Sequence, residues 1–243
     1  MKRPLKLEAA LYRNSYIYFI LFFLFMLWGF SLTYFARLQE QSSYRMHFHG
    51  ICLILWCLLL IIQPYLIRTG KQNLHRQIGK TTYLLVPVLI YSTLDLFKFR
   101  LPPVEQMTIV NYHHVALIVN AMVLFAILYG LALHHRRNGP IHARYMLSTA
   151  FPMFTPITDR IIYVFFPSLV PYAPKIAQEP VVPIYGFVLA DLLLLGLSIW
   201  DWHSHKRWNI FPIVLIMHLV YHYSVLRFHT YAFWEKFSLW FAS

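Results

Sequence analysis

Residues 47–80 read HFHGICLILWCLLLIIQPYLIRTGKQNLHRQIGK. Two histidines open the stretch, and a basic turn around His75-Arg76 closes it. Between them lie about twenty residues without a charge, enough for a helix to cross the hydrocarbon core of a bilayer. One apolar run bounded by ionisable groups at both ends is the unit that the rest of the chain repeats.

Composition carries the same reading. The 243 residues are 59% hydrophobic and 12% charged, against about 25% charged in a soluble domain. The apolar segments are continuous rather than alternating, which excludes an outer-membrane barrel. The expected fold is all-α, a polytopic transmembrane helix bundle of about seven spans, folded as one domain over 1–243. The runs lie at about 16–36, 48–67, 81–97, 112–133, 145–166, 181–200 and 209–227. Residues 1–14 form a basic start, 167–183 a proline-rich external cover and 229–243 an aromatic interfacial tail. The net charge of +12 comes from residues between spans, so membrane topology accounts for it and nucleic acid is not an expected partner. Cys52 and Cys57 share one span, with neither metal nor disulfide spacing.

Lysine and arginine distribution orients the chain. Thirteen fall in the N-terminal segment and in the turns after the second, fourth and sixth runs, and seven fall on the other side. Arg160 lies within a run. That asymmetry places the N-terminus in the cytoplasm and the C-terminus outside. The fifth run is interrupted by Pro152 and Pro156 just before Asp159-Arg160, and a broken helix needs protein or a water-filled cavity around it.

Ionisable residues inside spans are costly and mark functional sites. In this orientation His49, Asp95, His113, His114, Asp159, Arg160, Asp191, His218 and His222 all fall in the external half. His218 and His222 are four apart and share a helix face, whereas only one of His113/His114 and one of His47/His49 can point inward. His49 is the deeper of its pair. Arg160 needs an acid, and Asp159, Asp95 and Asp191 are the candidates. Helix capping or headgroup contact accounts for His47, His134, His135, His203, His205 and His229, and the same anchoring role suits Arg76 and Arg144.

Three chemistries fit this set. His49, His75, His113/His114 and His142 begin successive helices at two levels, as bis-histidine ligation of haem b for electron transfer would require. In this they resemble the transmembrane di-haem cytochromes that take electrons from ascorbate, which implies a redox partner. Alternatively His218-x-x-x-His222, Asp95 and His47 or His49 could hold zinc or another divalent metal. With Ser43-x-x-x-His47 this resembles the seven-helix zinc hydrolases that include alkaline ceramidases and adiponectin-receptor-like proteins, which implies hydrolysis of a lipid-like substrate. A third reading is a carrier or proton relay built on Asp159, Arg160 and the two prolines.

A further resemblance rests on His49…Gln63-Pro64…Arg68…Leu74-His75-Arg76-x-x-Gly79-Lys80-x-x-Tyr83, with His142-x-Arg144-x-Met146 through Arg160 as a second element. These are similar to a prokaryotic family of multi-pass membrane proteins carrying a domain-of-unknown-function label. The likeness covers roughly a third of the chain and implies a bacterial inner membrane. It brings no assigned activity.

Overall fold

Apolar runs of helix-forming residues become helices wherever nothing stops them, and in this chain the stops are glycine, proline and loop polar groups. A computed structural model describes residues 7–41, 43–205 and 210–243. Lys2, Arg3 and Lys6, and the pair Lys206 and Arg207, lie outside the described residues. The described chain is almost entirely helical: α1 Leu7–Phe30, α2 Tyr44–Arg68, α3 Gln72–Gly79, α4 Thr82–Arg100 and α5 Ile109–His134. There follow α6 Gly139–Ser148, α7 Phe154–Phe165, α8 Pro183–His205, α9 Ile210–Arg227 and α10 Ala232–Ala242.

Local sequence explains the boundaries. Helix α2 ends where Gly70 takes φ +74, and the Lys71 N–H returns to the Leu66 carbonyl at 2.8 Å, a Schellman-type stop. Helix α6 begins with Asn138 as N-cap and Pro140 in its first turn. The run expected as one span over 145–166 starts earlier and is two pieces. Helix α6 stops at Ser148, a 3-10 turn covers Phe151–Met153, and α7 resumes at Phe154. Pro152 and Pro156 each remove a backbone donor, and this is where the axis breaks.

Five helices are long and apolar enough to cross a membrane: Tyr44–Arg68, Gln72–Arg100, Ile109–His134, Pro183–Ser204 and Ile210–Thr230. The segment Asn14–Phe30 is apolar but shorter. Around the bundle α1 packs on α2, α2 on α4, α4 on α5, α5 on α9, α9 on α8, α8 on α7 and α7 back on α1. Helix α6 packs against α5 and α9. The end that holds the start of α2 and the C-terminal ends of α4, α7 and α9 is called upper below, and the opposite end lower.

Packing inside is close. Trp56 of α2 is fully buried and meets Phe125 and Tyr129 of α5 edge-on, at 5.3 and 5.9 Å between ring centroids. A second core joins α5, α8 and α9 through Leu128, Phe187, Leu194, Phe211 and Val214. Between apolar helices in an apolar solvent such contacts act by van der Waals fit, so small residues matter most where backbones meet. Helix α7 is gripped on two sides in this way. A Cβ at Gly29 of α1 would stand 2.9 Å from the Ile157 carbonyl oxygen, and one at Gly186 of α8 would stand 2.7 Å from Thr155 Cα.

The proline-rich cover, 166–182, is ordered. A 3-10 helix over Pro167–Tyr172 leads into a small antiparallel hairpin that pairs Lys175–Ile176 with Glu179–Pro180. Its turn residues, Ala177 and Gln178, have φ +48 and +73, the left-handed geometry that suits the twist of a tight hairpin. The aromatic tail is also tied down. Helix α10 lies on α5, with the Trp234 ring N–H donating to the Tyr112 carbonyl at 3.0 Å.

Candidate metal centre

Helices α8 and α9 run antiparallel, which brings the first half of one beside the second half of the other. Asp191 of α8 and His222 of α9 meet there, with His222 Nδ1 and Asp191 Oδ2 3.1 Å apart. His218, one turn further along the same face of α9, completes the group. One ligand atom from each of Asp191, His218 and His222 lies within 4.8 Å of the others. The i, i+4 spacing of the histidines was legible in the sequence. Asp191 was expected only as an acid for Arg160, because no local pattern shows that α8 rather than α4 abuts α9.

The surroundings hold the rings and leave ligand atoms unused. Phe187, one turn before Asp191 on α8, stacks on His222 at 4.0 Å between centroids and 17° between planes. Phe151, in the 3-10 break between α6 and α7, meets His218 edge-on at 5.9 Å. His218 is 1% exposed, yet neither Nδ1 nor Nε2 has a hydrogen-bond partner, and Asp191 Oδ1 is buried without one as well. Buried polar atoms are normally satisfied, and leaving one unpaired costs about 1–3 kcal/mol. His218 and Asp191 thus each bring an unpaired buried polar atom to the same group.

Two imidazoles and a carboxylate suit zinc or a neighbouring divalent transition metal. Around a tetrahedral ion with bonds of about 2.0–2.2 Å, ligand atoms stand about 3.3 Å apart, so the group, within 4.8 Å, is looser than a loaded site. The set supplies three protein ligands, which is the number that leaves one position open.

The other candidates are placed as follows. Asp95 does not approach the α9 histidines: its carboxylate accepts from Arg45 Nε at 2.8 Å and ties the start of α2 to the end of α4. The acid at the histidine pair is Asp191 instead. Arg160 forms no ion pair within 4 Å among the described residues. Its guanidinium donates to the Pro156 carbonyl, a backbone acceptor of its own helix, at 2.7 Å and lies over the Phe30 ring at 4.3 Å. A backbone carbonyl and an aromatic face thus replace the expected carboxylate. Asp159, its neighbour on α7, points elsewhere, and Asp159 Oδ1 is buried without a partner.

The histidines considered for haem are each engaged or exposed. His49 Nδ1 lies 3.3 Å from both Ser92 Oγ and Thr93 Oγ1 of α4, while His47 Nδ1 is bonded to the Tyr34 hydroxyl and its Nε2 donates to the Gln41 carbonyl. His113 is buried and donates to the Val225 carbonyl at 2.9 Å, and His114 is exposed. His75 sits on α3 beside the Gln63 amide. His142 donates to the Ala132 carbonyl at 2.7 Å. Between α2 and α5 the interior is filled by Trp56, Phe125 and Tyr129.

One functional-looking contact escaped the sequence reading. Arg144, expected to anchor at a headgroup, is 0% exposed and forms a two-pronged pair with Asp201 of α8, at 3.1 and 2.8 Å. Arg144 also donates to the Pro140 carbonyl. The signal was Asp201, an acid just past the end of the apolar run over 181–200. Comparison with protein-family models, with curated proteins and with solved structures finds no match to this chain.

Proposed function

We propose that the protein is a multi-pass membrane protein in which His218, His222 and Asp191 hold a divalent metal of the zinc type, and that it acts as a metal-dependent hydrolase on a lipid-like substrate. The observation that carries the reading is His218, fully buried with both ring nitrogens unpartnered beside a histidine–carboxylate pair. A bound metal supplies Lewis-acid activation of water at its open position. The chain's own part is orientation. Asp191 Oδ2 fixes the His222 tautomer, Phe187 fixes its ring plane, and Asp191 Oδ1 remains for the ion. The outward faces beside the centre carry Leu192, Leu193, Ile216, Leu219 and Val220, all exposed, so a substrate arriving through lipid meets an apolar approach.

The same reading counts seven crossings: the five long helices, α1, and the broken α6–α7 segment. The lysine and arginine asymmetry makes the lower end cytoplasmic and the upper end external, in a bacterial inner membrane. The metal centre then lies in the external half, five to nine residues inside the helix ends, or about 8–14 Å.

The test is elemental analysis of detergent-purified protein. Zinc at about one ion per chain, lost in His218→Ala and in His222→Ala but kept in Asp95→Asn, is the expected result. A metal-free protein that also takes up no added zinc would overturn the reading. A Soret band that sharpens on dithionite reduction would transfer the assignment to haem and the histidines of α2 and α5.

A further inference from the structure

Above the metal centre, under the hairpin of the cover, lies a cavity of about 120 Å³. Its chemistry differs from the rest of the bundle. His113 and His114 of α5, Asp159 and Tyr163 of α7, and Glu179 of the hairpin all contribute to the wall. The volume is enough for several waters, of which each occupies about 30 Å³ in the liquid. Both acids face it, and the adjacent cation does not, since the Arg160 guanidinium lies over Phe30 toward α1. Asp159 Oδ1 is itself buried with no hydrogen-bond partner.

One wall separates this cavity from the metal ligands. Leu117 lines the cavity, and its carbonyl accepts from the Tyr221 hydroxyl at 3.1 Å. The Tyr221 ring lies 6.4 Å from His218 and 5.3 Å from His222 between centroids. Tyr221 thus bridges the Leu117 wall of the chamber and His218, whose ring nitrogens are unpartnered.

We propose that the cavity is a loading vestibule for a hydrated divalent cation on its way to the buried centre, with Asp159 and Glu179 as its attracting charges and Tyr221 as the partition; this rests on the metal reading above. An acidic chamber with low-dielectric walls concentrates cations and raises their on-rate, whereas an apolar channel would exclude them. The tight hairpin turn at Ala177 and Gln178 sets Glu179 in the wall of the chamber.

The experiment follows Co²⁺ uptake by the full chain, stripped with chelator in detergent, through the ligand-field absorption that cobalt acquires in a histidine site. Wild type is expected to load about one ion per chain. Asp159→Asn is expected to reach the same endpoint about tenfold more slowly, Asp159→Glu to restore the rate, and Glu179→Gln to slow it less. Added salt slows wild type but not the Asp159→Asn/Glu179→Gln double variant. Loading by Asp159→Asn at the wild-type rate overturns the vestibule and leaves the metal centre standing. Where Asp159→Asn fails to fold, Glu179→Gln on the exposed hairpin decides: an unchanged rate overturns the proposal. If wild type takes up no Co²⁺, the metal centre falls and the vestibule with it.

Discussion

At the lower end of the bundle Arg144 of α6 meets Asp201 of α8 in two hydrogen bonds, and a spare guanidinium N–H reaches the Pro140 carbonyl. At the upper end His218 meets His222 and Asp191 with both its own nitrogens and one carboxylate oxygen left over. Both clusters join α8 to a neighbour, and both place ionisable groups in an apolar interior. The lower one has its hydrogen bonds made and holds helices together. The upper one leaves buried polar atoms unpaired. Polar groups within an apolar bundle are thus told apart by whether their hydrogen bonds close, not by depth or residue type.

The comparison breaks most visibly through opposite responses to the same kind of substitution. Replacing Asp201 by leucine strands the buried Arg144 charge and is expected to cost about 3–5 kcal/mol, read as a large fall in melting temperature in detergent. Replacing His218 by leucine in metal-free protein removes an unsatisfied group and is expected to raise stability by about 1–2 kcal/mol. Two losses of similar size would mean that both clusters are structural.

Metal addition sharpens the difference further. Zinc at a hundredfold excess over its Kd is expected to stabilise wild type by about 2.7 kcal/mol, and to do nothing for His218→Leu. A smaller effect is expected from Gly186→Ala. The new methyl would press on Thr155 and Thr158 of α7, costing about 1–3 kcal/mol by overpacking. Gly130→Ala meets nothing within 4 Å and serves as the control, neutral or slightly stabilising. The smallest effect belongs to Arg45→Ala. Its pair with Asp95 is about 28% exposed, so the loss is expected at about 0.2–1 kcal/mol, with metal content unchanged. Loss of zinc in that variant would return Asp95 to the site.

Much of this architecture was legible from hydropathy. The apolar runs, the break at Pro152 and the shared face of His218 and His222 follow from composition, proline chemistry and helical period, which are local. Choosing among acids was not local. Asp95, Asp159 and Asp191 are equivalent in sequence, and only the packing order α2–α4–α5–α9–α8 puts Asp191 beside the histidines and Asp95 beside Arg45. Arg160 shows the same limit from another side. An intramembrane arginine calls for an acceptor, and the acceptor was the Pro156 carbonyl of its own broken helix. Helix length misled in one place, where the run over 145–166 conceals a start at Gly139 and a 3-10 turn in its middle.

The pair at the lower end also bears on how such a chain is made. Arg144 and Asp201 are 57 positions apart, and all of α7 and the cover lie between them. A ribosome delivers α6 with its arginine well before α8 supplies the carboxylate. On insertion scales an arginine at the centre of a lone helix costs about 2.5–3.5 kcal/mol, enough to cancel the apolar gain of a ten-residue segment. Helix α6 is therefore a poor candidate for entering lipid by itself. It is expected to be held at the insertion machinery or against α5 until α8 arrives, and the two to enter the membrane as a unit.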